Sequence, residues 1–122
     1  MSNEKTIKAA VLLSFRKNRI TVSKKVLQAI GGPKFILFLV SPEERTLAIM
    51  SSDETERRAH RIRLTQHRRF ELYSKRLLKT LLKLCGDWRE NYSYSLDGEI
   101  VNSAGVIKFH IDNAVLVSKV ED

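Results

Sequence analysis

Six arginines, Arg57, Arg58, Arg61, Arg63, Arg68 and Arg69, fall within residues 57–69, together with His60 and His67 and no lysine. A guanidinium is a planar fork that can bridge two phosphate oxygens or the O6/N7 edge of guanine, which the point charge of a lysine does less specifically. A second basic run, Arg16-Lys17-Asn18-Arg19, stands earlier in the chain. The chemistry these residues suit is the binding of anions. A plainer reading exists for the longer run. Asp53, Glu54 and Glu56 precede it, and on a helix they would pair with its arginines and leave a solvated linker.

Residues for bond making and breaking are sparse. His60, His67 and His110 have no HExxH or comparable ligand spacing. Asp112 follows His110 by two residues, so the two can share a strand face, but no nucleophile stands beside them. Gly31-Gly32 and Gly98 read as turn residues, with no phosphate-loop pattern around them. The single cysteine, Cys85, excludes an internal disulfide and a CxxC zinc cluster, and at the end of an apolar helix pattern it reads as a small buried hydrophobe. Trp88, Tyr92 and Tyr94 offer flat faces on which bases can stack, although aromatic residues between a helix and a strand more often close a core. The chain is expected not to be an enzyme and to need no cofactor and no metal.

The elements that must position the basic runs recur. Val11-Leu12-Leu13-Ser14-Phe15-Arg16-Lys17 stands above Ile62-Arg63-Leu64-Thr65-Gln66-His67-Arg68 at an offset of 51, and Ser23-Lys24-Lys25-Val26-Leu27 stands above Ser74-Lys75-Arg76-Leu77-Leu78 at the same offset. Self-similarity at a fixed period indicates two related units. The first, residues 1–51, reads as a strand over Ile7 to Phe15, the basic turn, and a β-branched strand Ile20-Thr21-Val22. Ser23 then caps a helix that Gly31-Gly32-Pro33 stops, and a hairpin follows from Phe35–Val40 and Thr46–Met50. The second, residues 52–122, has an arginine-rich leading segment and then repeats the order. An alternating strand runs over Arg61–Gln66, a second basic turn is His67-Arg68-Arg69, and a short strand covers Phe70–Tyr73. Ser74 caps a longer helix with leucines on one face and Lys75, Arg76, Lys79 and Lys83 on the other. Strands are expected over Tyr92–Leu96, Val106–Ile111 and Ala114–Val117, with Asp97-Gly98 turning the chain. The repeat slips by one residue where Ile20 meets Glu71.

At 122 residues and 43% apolar content the chain suits one shared core. Its net charge of +8 favours anionic partners such as DNA, RNA or an acidic protein. The N-terminal residues lack the apolar core of a signal peptide, and the longest apolar runs are too short to span a bilayer. The leucine–lysine helix has the pattern of a membrane-surface helix as well, but a core face with a wet reverse explains it. A cytoplasmic protein without a membrane partner is expected.

The stretch from Arg19 to Gly31 carries a resemblance. A basic turn, a β-branched strand ending in serine, and a short helix closing on isoleucine and glycine look like the core of the AbrB-like, swapped-hairpin superfamily. Two such units in one chain are similar to the MraZ family, which carries tandem copies, although the helical DxxxR signature of that family is missing after both Ser23 and Ser74. The resemblance implies a β-rich α+β fold, with two βαββ-like units forming a shared swapped-hairpin-type β-barrel, and a bacterial regulator or antitoxin. Its paired basic turns would lie on one face, toward two neighbouring turns of a duplex. The expected function is transcriptional regulation through double-stranded DNA, contacted by Arg16, Lys17, Arg19, Arg61, Arg63, Arg68 and Arg69. The alternative is a protein–protein module, antitoxin-like or phage-associated, in which the same barrel holds an acidic protein. A homodimer or higher homo-oligomer fits either.

Overall fold

The computed structural model describes residues 6–66, 68–101 and 105–118. The strands are β1 (Thr6–Ser14), β2 (Arg19–Ser23), β3 (Phe35–Ser41), β4 (Thr46–Ser52), β5 (His60–Arg61), β6 (Arg69–Tyr73), β7 (Ser93–Val101), β8 (Val106–His110) and β9 (Val115–Ser118). Two helices, α1 (Lys24–Ala29) and α2 (Lys75–Leu84), each follow the second strand of a basic turn, and a 3-10 turn covers Ile111–Asn113.

Both helices begin where the sequence provides a hydroxyl cap. Ser23 Oγ accepts the Val26 N–H at 3.4 Å and Ser74 Oγ accepts the Leu77 N–H at 3.2 Å, each satisfying a donor that the first turn leaves open. The glycine pair ends α1. Gly31 and Gly32 have φ of 95° and 61°, which lets Gly32 N–H return to the Leu27 carbonyl at 2.8 Å. On α2, Leu78 and Leu81 are buried while Lys75, Arg76, Lys79 and Lys83 are exposed, so its apolar stripe is core and its lysines are wet.

All strand pairings are antiparallel, in the order β5-β3-β4-β8-β7-β1-β2-β6, with β9 on β7 beyond the 3-10 turn. Alternate residues enter the interior, as a period of two requires: Val11 and Leu13, Ile20 and Val22, Leu47 and Ile49, Tyr94 and Leu96, Ile107 and Phe109. The sheet curls into a half-barrel around this core. One short segment reaches both ends of the strand order. His60 and Arg61 pair with Ile36 and Phe35 of β3, and the Ile62 N–H donates to the Lys34 carbonyl at 2.8 Å. Leu64 then bridges to Phe70 of β6. Crossing between two strands is why the expected continuous strand over 61–66 is reduced to two residues and an isolated bridge.

The expected turn at Asp97-Gly98 is not one. β7 runs straight through it, and Gly98 pairs with Ile7 on one side and Phe109 on the other. A Cβ at residue 98 would sit 2.6 Å from Phe109 Cε2 and 2.7 Å from Ile107 Cδ1. The glycine is there for close approach in mid-strand, a use that shares its sequence signal with a turn.

Candidate nucleic-acid interface

Each basic run forms the same kind of turn. In the first, the Asn18 N–H closes on the Phe15 carbonyl at 3.2 Å, and Asn18 takes a left-handed φ of 53°. In the second, the Arg68 N–H closes on the Thr65 carbonyl at 2.8 Å, with φ of 61° at Arg68. Asn tolerates this conformation through its short polar side chain, whereas Arg is strained in it. The backbone therefore equates Asn18 with Arg68 and Arg19 with Arg69, an offset of 50, where the side-chain pattern of the preceding strand gives 51 and sets Lys17 above Arg68. His67 lies outside the described residues.

The strands that leave these turns pair with each other. β2 runs against β6 from Arg19↔Tyr73 to Ser23↔Arg69, centred on Thr21↔Glu71. The two turns consequently stand beyond opposite ends of one two-stranded ribbon, whose end residues Arg19 and Arg69 are about 13 Å apart along it for four residue steps. The ribbon also brings each turn to the helix of the other half. Arg69 lies beside Ser23 and hence the start of α1 with Lys24 and Lys25. At the far end the Ser74 N–H donates to the Asn18 carbonyl at 3.1 Å, fixing the first turn to the start of α2 with Lys75 and Arg76.

Of the expected contact residues, Arg16, Lys17, Arg68 and Arg69 are exposed on or next to the turns. Arg19 opens β2 and is half-buried, with a buried Nε that has no hydrogen-bond partner in the protein. Arg61 and Arg63 are exposed but belong to the crossing segment, with Arg61 paired to Phe35 at the β3 edge. The arginines before them sit in turns, and no helix forms there. Glu56 binds Arg58 at 3.3 Å, so the acidic residues do offset part of the run, by a local contact instead of the expected helical pairing. His60 packs edge-on against Phe38, and burial pushes its imidazole below the ordinary value, which disfavours its charged form.

The remaining reactive side chains are engaged elsewhere. His110 meets Glu99 at 2.8 Å, and Asp112 meets Arg45 at 2.8 Å, so the His110/Asp112 pair of the sequence is divided between two partners. Cys85 is buried, and burial pushes its thiol up. Trp88 stacks on Tyr94 at 4.7 Å and meets Phe15 edge-on, closing the core beneath the first turn. Among the described residues no group of three or more His, Cys, Asp or Glu is arranged to hold a metal ion, and no helix is long and apolar enough to cross a membrane.

Arg45 is the residue the sequence did not single out. With φ of 55° in the β3–β4 turn, it donates from Nη1 to the Leu84 carbonyl at the end of α2 at 2.8 Å and from Nε to both Asp112 oxygens. Its own carbonyl accepts the Ile111 N–H at 3.0 Å. It thereby ties a hairpin, the last turn of α2 and the 3-10 turn together. The guanidinium's hydrogen bonds hold the Asp112 carboxyl below the usual carboxylate range. A depressed folded-state value stabilises the fold above the unfolded carboxylate value and ceases to do so as pH falls through the folded one. Asp112→Asn is therefore expected to flatten the acid side of a melting-temperature profile below pH ~4, with little change in the shape of the profile above neutrality. An unchanged acid limb would remove Asp112 from the account.

No family model matches this chain, and neither the curated proteins nor the solved structures include one similar to it.

Proposed function

We propose that the protein is a DNA-binding regulator of the AbrB-like type, built from two units in one chain and contacting double-stranded DNA through its paired basic turns. The observation that carries the reading is the β2·β6 ribbon, which holds both turns at a fixed separation. About 13 Å along the ribbon is near the width of one major groove, roughly 12 Å, and far short of the ~34 Å between successive turns of a duplex. Arg19 and Arg69 would thus reach the two sides of one groove, where guanidinium groups position the protein on phosphates and read base edges.

The strand pairings support the two-unit part of the reading. All but one of them are unchanged when the halves are exchanged, the exception being β7·β9, which has no counterpart on β3 among the described residues. β1·β2 answers to the Leu64 bridge with β6, β3·β4 to β7·β8, and β3·β5 to β1·β7, while β2·β6 and β4·β8 each join an element to its own counterpart. Two left-handed positions recur with the same correspondence, Asn18 with Arg68 and Arg45 with Gly105, whereas Gly31 and Gly32 have no left-handed counterpart among the described residues. Hairpins exchanged between units of one chain need no second chain to complete the sheet. Retention on immobilised duplex, followed over graded salt, tests the function: elution at moderate salt is expected, and passage without retention at low salt refutes it.

One observation favours the second reading, a protein–protein module. Val115, Leu116 and Val117 of β9 are 60%, 43% and 54% exposed, three consecutive apolar residues on a strand that, among the described residues, pairs with β7 alone. Such an edge is a template for strand addition. A partner captured equally well after DNase treatment by a protein that ignores duplex would favour this reading over the first.

A further inference from the structure

The two basic turns are not equivalent surroundings for an anion. α1 has six residues and ends at once in its glycine pair, whereas α2 has ten and is followed by the loop of residues 85–92. Only the first turn therefore faces a long helix. Between that turn and α2 lies a groove of about 260 Å³, floored by Phe15, Leu78 and Leu82. Arg16 and Glu90 are shared with an adjoining hollow of about 550 Å³ that extends to Trp88, Arg89 and Asn91. Together they make one trough whose charged lining is Arg16, Lys75, Lys79 and Arg89 against the single carboxylate of Glu90. Lys75 and Lys79 stand one helical turn apart on the same face of α2, both exposed.

The lining states what would fit. Four cations to one carboxylate select an anion, and closely placed ammonium and guanidinium groups suit the several oxygens of a phosphate. The apolar floor and the half-buried Trp88 rim suit a flat organic body attached to it. A carboxylate-only or fully hydrated inorganic ion uses the first feature and leaves the second without a role.

We propose that this trough is a phosphate-ester site, with Lys75, Lys79 and Arg16 on the phosphate and the organic part toward Trp88. It deepens the DNA reading, on which it rests for one source of the ester: a strand of bound nucleic acid supplies it, or a free nucleotide does. The arrangement makes the first-turn end of the ribbon the stronger half of the interface, because α2 adds cations there that α1 matches with only Lys24 and Lys25.

Trp88 is the chain's single tryptophan, so its fluorescence reports on the trough without a label. The experiment titrates the intact protein with a duplex of about one and a half helical turns, and separately with ADP, while retention on immobilised duplex is measured in parallel. Lys75→Gln/Lys79→Gln is the test variant, and its melting temperature should match that of the parent because both residues are exposed. A saturable Trp88 change with duplex but not ADP, lost in the variant along with up to about eightfold in duplex affinity at 0.1 M salt, the contribution of the one phosphate these residues share, assigns the ester to nucleic acid. A response to ADP with no duplex retention keeps the site and refutes the DNA reading. Duplex retention with a silent Trp88 and undiminished affinity in the variant overturns the site and leaves the DNA reading standing. Silence toward both probes with no retention refutes both.

Discussion

Arg68→Gly combined with Arg69→Gln should weaken duplex binding on the order of 60-fold at 0.1 M salt while leaving the fold intact. The magnitude follows from counterion release. Each phosphate neutralised contributes a factor of [salt] to about the −0.9 power, which is roughly eightfold at 0.1 M, and two residues are removed. The choice of glycine separates charge from conformation. Arg68 has φ of 61°, a region that costs a side chain with a Cβ and suits glycine, so the turn closed by its N–H on Thr65 is retained or slightly strengthened. Glutamine at residue 69 keeps a polar side chain where Arg69 pairs with Ser23 at the end of the ribbon. Alanine at residue 68 would confuse the two effects, because it keeps the strained backbone and loses the charge. Electrophoretic mobility shift and thermal melting on the same preparations read both quantities. Undiminished duplex affinity excludes the second turn as a contact, and a collapsed melting transition assigns it to structure.

Gly98→Ala should destabilise the fold by about 1–3 kcal/mol, the usual range for forcing an extra group into a filled core. The added Cβ would lie 2.6 Å from Phe109 Cε2, 2.7 Å from Ile107 Cδ1 and 2.8 Å from Ile107 Cγ1. Both neighbours are fully buried, so neither can swing into solvent to make room. The strand cannot easily shift either, since Gly98 is paired on both edges, with Ile7 and Phe109. The clash has a specific remedy. Ile107→Val removes Cδ1 and alone costs about 0.5–1.5 kcal/mol, yet in the Gly98→Ala background it should recover part of the loss. Urea unfolding of the four proteins completes the cycle. A neutral Gly98→Ala, or strictly additive losses, contradicts the close approach of β7 and β8.

Local signals predicted what local physics decides. Serines at 23 and 74 start helices because a hydroxyl satisfies an open N–H, and the glycine pair at 31 and 32 stops α1 because both residues take positive φ. The β3–β4 hairpin and the leucine face of α2 were readable because an apolar run closed by a turn, and leucines at helical spacing, are signals held within each element's own sequence. Gly98 failed for the opposite reason. Aspartate followed by glycine favours a turn, and only the packing of Phe109 and Ile107 shows why the glycine stays in a strand. Residues 61–66 alternate like a strand but divide their hydrogen bonds between β3 and β6, a division no window of sequence contains.

The candidate site was legible as charge and only partly as geometry. Both basic turns were visible, and so was the slip in register at Glu71. The one-residue correction, Asn18 with Arg68, depends on backbone dihedrals that Arg does not advertise. The role of Arg45 was hidden because its partners, Leu84 and Asp112, are 39 and 67 residues away. Likewise Lys75 and Lys79 read as the wet side of a helix, and only the first turn's position against α2 makes them neighbours of Arg16.

The central claim is that the two turns act together on one stretch of duplex, and the salt dependence of affinity tests it most directly. Duplex binding is measured by anisotropy across salt for the parent, for Arg68→Gly/Arg69→Gln, and for Arg16→Gln/Lys17→Gln. The account predicts a steep log–log slope for the parent, about −4.5 if Arg16, Lys17, Arg19, Arg68 and Arg69 each neutralise one phosphate. It predicts a slope shallower by about 1.8 for either variant. A parent slope near zero, or a slope that changes on stripping one turn and not the other, contradicts it.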